Sequence, residues 1–365
     1  MIKRAVIVRA IRTPIGKAGG IFKDIPIHEL TAPVLKYTAA GVEEKIDELI
    51  LGNVVGPGGN VARVSALEAG LPLSLTGLTI DRQCSAGLEA IRLASYLIQG
   101  GAGQCYIAGG AESSSTSTYS ARARFAPDHI GDPDMGAAAE NVAEKYDISK
   151  EVQDEYALMS YKRSWESFDK GYLDQEIIPV GTISQDEQFL KKRKMELLVQ
   201  RAKPLFKKDG TVTAANSCGI HDGAAAVLIM EENTAKKNGL QPVLRFMDSE
   251  VAGIHPKYPG AAPIPAIRSL LQRNKLTISD IDLIEINEAF ASKIVACSKE
   301  LTIPYEKLNV RGGALSLGHP YGASGSIMMT RLFHEVQRRK NVNYVLAAIG
   351  SGGGIGVAIL LEVVT

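Results

Sequence analysis

Short apolar runs alternate with longer segments of helical period along the whole chain, and the runs come in two matching series. IDELILGN at 46–53 is answered by IDLIEINE at 281–288, QCYIAGG at 104–110 by NYVLAAIG at 343–350, and AAAVLIMEE at 224–232 by GVAILLEVV at 356–364. Runs of this kind read as strands buried on both faces, and their alternation with helices is the pattern of α/β architecture. Candidate strands at 5–8, 48–51, 78–81, 106–109 and 225–230 make the first series, and 283–286, 307–310, 344–348 and 356–360 the second. The repetition implies two similar α/β halves. The last two strands of the second half lie close together, whereas their counterparts at 106–109 and 225–230 are far apart, so the excess between them is an insertion. The expected organisation is an N-terminal half at 1–112 and 223–240, an inserted domain at 113–222 and a C-terminal half at 241–365.

Within the insertion, 136–146 and 150–170 have helical spacing, the second opened by Ser149-Lys150-Glu151 and stopped by Gly171. Next comes Lys191-Lys192-Arg193-Lys194, followed by Arg201, Lys203, Lys207 and Lys208. This basic run is either a solvated face or a local anion site for a phosphate-bearing ligand.

The 365 residues are 45% hydrophobic and 22% charged with a formal net charge of +1. That composition builds a sizeable core and gives no overall field to recruit nucleic acid or an anionic membrane. The apolar start of the chain is broken by Arg9 and Arg12, too early for a secretory signal, and no stretch approaches the roughly 20 apolar residues of a membrane span. A cytoplasmic protein is expected. Cys84, Cys105, Cys218 and Cys297 show no C-x-x-C pairing, so neither a metal site nor a disulfide framework is expected. Each cysteine must then be explained by packing or by reactivity.

Cys84, in Gln83-Cys84-Ser85-Ala86-Gly87, joins a candidate strand to a helix running to about Ile98. At a helix N-terminus, unpaired N–H groups and the macrodipole favour the reactive thiolate, and the small residues that follow let a substrate approach the backbone. His319 sits in the glycine-rich run 312–325, ahead of a candidate helix at 326–338. An imidazole there can face a ligand and accept a thiol proton. The triple glycine 352–354 is followed by a strand and by no Lys-Ser/Thr, which argues against a phosphate loop and leaves its N–H groups free to hold an oxyanion. Asn287-Glu288, just past a buried strand, either caps the next helix or enters a site.

Taken in order, these segments resemble the thiolase family. The similarity begins at Arg12-Thr13-Pro14-Ile15-Gly16-Lys17 and runs through Cys84-Ser85-Ala86-Gly87-Leu88, Met135-Gly136 and Asp209-Gly210-Thr211-Val212-Thr213-Ala214. It closes with Asn287-Glu288-Ala289-Phe290-Ala291, the 312–325 run and the triple glycine. The resemblance implies a five-layer α/β/α/β/α core of two duplicated halves, with the insertion as a loop domain that helps bind coenzyme A. It implies acyl-CoA substrates, no further cofactor, ping-pong acyl transfer through Cys84, and His319 as the base. His319 with a water on Asn287 would form one oxyanion hole and the N–H groups of Cys84 and Gly352 the other, while Met135, Cys218, Ala289 and Phe290 would lie along the CoA side.

One departure stands out. The family places a second cysteine, the acid/base of the second half-reaction, two residues before the triple glycine, and here that residue is Gly350. Ser351 adjoins it, but a strand neighbour points the other way. Three readings follow: a full thiolase with a replacement group, an acyltransferase or hydrolase with weak carbon–carbon chemistry, or a non-catalytic acyl-CoA-binding homologue. On the second, Gly350→Cys would raise acetoacetyl-CoA thiolysis. Pro259 replaces a frequent pocket methionine, and the segment 114–134 is shorter than in the tetrameric members, so a homodimer is expected.

Overall fold

The computed structural model describes residues 3–117 and 122–364. Among these, the apolar runs become strands β1 (Ala5–Arg12), β2 (Gly16–Lys17), β3 (Glu48–Gly52), β4 (Thr76–Ile80), β5 (Cys105–Glu112), β6 (His221–Glu231), β7 (Leu244–Gly253), β8 (Leu283–Ile286), β9 (Tyr344–Ser351) and β10 (Ile355–Val363). The α-helices are α1 (Ile27–Ala39), α2 (Val61–Glu68), α3 (Ala86–Gly100), α4 (Met135–Lys145), α5 (Lys150–Asp169), α6 (Met195–Arg201), α7 (Glu232–Lys237), α8 (Pro263–Arg273), α9 (Ala291–Leu301), α10 (Ala314–Leu317) and α11 (Ser324–Gln337). No helix among the described residues is long and apolar enough to cross a membrane.

The sheet order is β4-β3-β5-β6-β1-β7-β10-β9-β8. The duplication seen in the sequence reappears in strand direction. β3 is parallel to β5, β5 antiparallel to β6 and β6 antiparallel to β1. Likewise β8 is parallel to β9, β9 antiparallel to β10 and β10 antiparallel to β7. The halves join through the short β1–β7 pairing at Val6–Arg245 and Ile7–Leu244.

Side chains on successive strand residues enter different layers, because a strand has period two. In β6, Ala224, Ala226, Leu228 and Met230 pack with α1 and α2, whereas Val227 and Ile229 join a core shared with α3 and α11. In β9, Val345, Ala347 and Ile349 enter that same central core, while Leu346 and Ala348 pack with α8 and α9. Helices therefore cover both outer faces, and α3 with α11 fill the space between the two half-sheets. This is the five-layer α/β/α/β/α arrangement.

Two sequence expectations change. Residues 307–310 form no strand: Leu308 makes a single bridge to Ile284, because Asn309 takes a left-handed φ of 46° and its side chain binds the backbone of Ile286. Strand β7 was not expected because its alternation is interrupted by charge. Arg245, Asp248 and Glu250 are held by Glu232 and Glu362, by Arg273, and by Arg273 with Ser269. Helix α5 starts as its cap signal predicts, with the Ser149 hydroxyl accepting from Val152 N–H.

The segment between β5 and β6 is fixed to β1 by a buried ion cluster. Arg12 donates to Glu176 Oε1 from Nε (3.0 Å) and Nη2 (2.7 Å), and to both carboxylate oxygens of Asp186 at 2.7 and 3.0 Å. All three side chains are buried. Removing the cation would leave two uncompensated carboxylates, which costs about 3–5 kcal/mol. Arg12→Met is expected to lower stability by about that amount, read as a lower midpoint in urea unfolding.

Candidate active site

Cys84 lies in the turn between β4 and α3. The Asp81 carboxylate accepts from Gln83 N–H at 2.7 Å, Gln83 takes a left-handed φ of 51°, and Ala86 N–H reaches Gln83 O at 2.8 Å. That sharp turn presents Cys84 two residues before the first helical residue, with intermediate exposure.

His319 sits in the turn ahead of α11, a turn that meets α3 by backbone contact. A Cβ on Gly87 would stand 2.5 Å from Gly322 O, and one on Gly325 would stand 2.3 Å from Leu88 N. Only residues without a side chain permit that approach. The small residue at 87 thus serves helix packing, not the substrate access expected of it. Glu112 locks the same junction, accepting from Asn53 Nδ2, Val54 N–H, Val55 N–H and Gly322 N–H.

The hydrogen bonds of His319 define its tautomer. The Ser324 hydroxyl donates to Pro320 O at 2.9 Å, so its oxygen is left to accept from His319 Nδ1–H at 2.6 Å. Nε2 then carries the free lone pair. It faces the Asn287 amide nitrogen at 3.5 Å, the outer edge of a hydrogen bond. Burial, with the nearby charges of Lys293 and His221, pushes the imidazole down to about 3, so it is a neutral base across the physiological range.

Cys84 behaves differently from the helix-terminus expectation. Burial pushes its thiol up to about 11, outweighing Lys293 and the N–H groups of Cys84 and Gly352, all of which favour the thiolate. The dipole of a helix that begins two residues later does not compensate for desolvation. The resting pair is therefore thiol and neutral imidazole.

Gly352 belongs to the β9–β10 hairpin. The Ser351 hydroxyl is in short contact with that of Ser85, tying this hairpin to the turn bearing Cys84 and turning Ser351 away from position 350's side of the strand. Of the Asn287-Glu288 pair, Asn287 enters the site, and neither residue caps α9, whose N-cap is Phe290. Glu288 is a structural hub that accepts from Tyr156, Ser160 and Asn309.

Met135, Ala289 and Phe290 line one small cavity together with Pro259, Lys293 and Gly350. Cys218 is attached alongside, its N–H donating to Ala289 O at 2.9 Å. The basic run is exposed, with Lys192 over the Trp165 ring and Lys207 paired to Glu144 at 2.9 Å. Among the described residues no cluster of three or more His, Cys, Asp or Glu side chains is placed to hold a metal.

The profile of the thiolase N-terminal domain matches residues 5–233 and that of the thiolase C-terminal domain residues 240–363. The chain belongs to the thiolase family. A Bacillus subtilis (strain 168) relative named "Putative acetyl-CoA C-acetyltransferase YhfS" is 59% identical over 98% of this chain and 99% of its own length. The crystal structure of the Bacillus anthracis acetyl-CoA acetyltransferase superposes with a TM-score of 0.94 at 39% identity, covering 100% of this chain and 99% of that one. Human mitochondrial 3-ketoacyl-CoA thiolase in complex with CoA gives a TM-score of 0.92 at 33% identity, with 100% and 99% covered.

Sequence reasoning missed one residue of this thiolase site. Lys293, two residues into α9, is 2% exposed, and its Nζ donates to Gly350 O at 3.3 Å. The available signal was a lone lysine inside the apolar stretch Phe290-Ala291-Ser292-Lys293-Ile294-Val295-Ala296. The surroundings of Gly350 weigh against a gain from Gly350→Cys. A Cβ there would meet Pro259 O at 2.5 Å and Pro263 Cδ at 2.9 Å, and backbone cannot withdraw as a flexible side chain can. Overpacking of this kind costs about 1–3 kcal/mol. Gly350→Cys is expected to lower the thermal midpoint without raising acetoacetyl-CoA thiolysis, as scanning calorimetry and a steady-state assay would show.

Proposed function

We propose that this thiolase-family chain is an acyl-CoA acyltransferase working by a ping-pong route, with Cys84 acylated by acetyl-CoA or a 3-ketoacyl-CoA. The observation that carries the reading is the His319 tautomer: with Nδ1–H committed to Ser324, a neutral Nε2 is left to take the Cys84 proton. The thiolate attacks the thioester carbonyl. The N–H groups of Cys84 and Gly352 hold the resulting oxyanion, and the Asn287 amide with His319 holds the second carbonyl. Cys218, Met135, Ala289 and Phe290 line the route for the CoA arm, and the exposed basic residues of 191–208, within the inserted segment, take its phosphates. The spent chemistry of a merely acyl-CoA-binding homologue is disfavoured, since such a protein would have no use for an oriented base.

Acetyl-CoA should transfer an acetyl group to Cys84, detected by intact mass and peptide mapping, and Cys84→Ala should show none. An unmodified wild-type protein would sink the reading. His319→Ala should slow this acetylation about 10²–10⁴-fold, the usual contribution of a general base.

The pH dependence follows from the same pair. The imidazole is lowered to about 3 and the thiol raised to about 11. Below the first value the base is protonated and acylation falls; above the second the thiol ionises unaided. Between them the pre-steady-state acetylation rate should be flat. A descending acid limb near the ordinary histidine pKa of about 6.5 would instead indicate a thiolate–imidazolium pair.

A further inference from the structure

Lys293 is a buried amine that the acylation chemistry leaves unused. Among the described residues no carboxylate pairs with it, and the Gly350 carbonyl is its one hydrogen-bond acceptor, although an ammonium group has three donors. A lysine so placed is costly unless its charge or its proton is used. Its surroundings are the reactive ones. Its charge acts on Cys84, on Cys218 and on His319, and it lines the cavity shared with Met135, Ala289 and Phe290.

One turn both closes position 350 and accommodates this side chain. Pro259 O occupies the space where a Cβ of residue 350 would lie, and the neighbouring Gly260 leaves its own Cβ position against the Lys293 stem, 3.2 Å from Lys293 Cβ. The wall at Gly350 therefore carries no side chain of its own, and the amine of Lys293 is the titratable group that reaches it.

We propose that Lys293 is the acid/base of the carbon–carbon half of the reaction, exchanging a proton with C2 of the acetyl-CoA unit and with the incoming thiol. The proposal rests on the acyl-Cys84 reading given above. In the thiolytic direction, His319 takes the Cys84 proton and the thiolate attacks C3 of a 3-ketoacyl-CoA. The C2–C3 bond breaks and its electron pair passes to C2. Lys293 as ammonium gives C2 a proton, acetyl-CoA leaves, and the amine is free. The thiol of a second CoA passes its proton to that amine and its sulfur attacks the acyl carbon. The bond to Cys84 breaks, and Cys84 recovers the proton held by His319. Both groups end as they began. Desolvation, opposed by Cys297, Cys84 and Cys218, lowers the Lys293 pKa from its ordinary value, which brings amine and ammonium closer to balance.

The test separates the two half-reactions. In Lys293→Gln, acetoacetyl-CoA thiolysis should fall about 10²–10⁴-fold, well beyond the smaller fall in Cys84 acetylation by acetyl-CoA, which moves no C2 proton but loses the lysine charge that favours the thiolate. Enzyme-dependent deuterium uptake at C2 of acetyl-CoA in D₂O should likewise disappear. Normal thiolysis and exchange in an acetylatable Lys293→Gln protein would overturn the proposal and leave the acyl-Cys84 reading intact, whereas absence of acetylation in wild type would overturn that reading first. Should Lys293→Gln not fold, the exchange experiment on Cys84→Ala, with Lys293 in place, decides: C2 exchange supports the proposal, and none overturns it.

Discussion

Two helices meet by their backbones at the centre of this molecule, and the chemistry depends on that contact. Helices α3 and α11 lie between two half-sheets, where ordinary side chains would hold their N-termini apart. Gly87 and Gly325 let the Gly322 carbonyl and the Leu88 amide close to distances that a single methyl group would prevent. Cys84 leads into one helix and His319 precedes the other, so both side chains are placed by main chain, the least adaptable material available. Glu112, with four donors converging on it, fixes the crossing from the side of the first half.

Such packing has an electrostatic outcome. Dense surroundings suppress charge on both partners, giving a neutral thiol and a neutral imidazole in place of an ion pair. The Ser85–Ser351 contact couples the β9–β10 hairpin to the turn bearing Cys84.

Much of this was legible in the chain. Continuous apolar runs alternating with helical segments, in two matching series, carried the α/β layers, because burial on both faces leaves a continuous apolar signature. The site segments were legible for a similar reason: glycine runs and a strand-to-helix cysteine report backbone geometry directly. What could not be read is what depends on long-range pairing. Strand β7 is hidden by Arg245, Asp248 and Glu250, whose partners lie elsewhere in the sequence. Lys293 looked like an ordinary helical lysine because exposure is the default for that side chain, and only its neighbours at Pro259, Gly260 and Gly350 show otherwise. The role of Gly87 was misjudged because a missing side chain does not say which atom fills the space.

The position of β1 in the sheet bears on how the chain can be made. Its two neighbours are β6 and β7, and its Arg12 waits for Glu176 and Asp186. Strand β1 is made well before β6, β7, Glu176 and Asp186, so both of its edges and a buried cation stay unsatisfied until those later segments exist. Long-range closure of this kind slows folding and leaves strand edges open to wrong partners. Poor tolerance of truncation between β1 and β7 is a natural cost of placing β1 at the seam of the sheet.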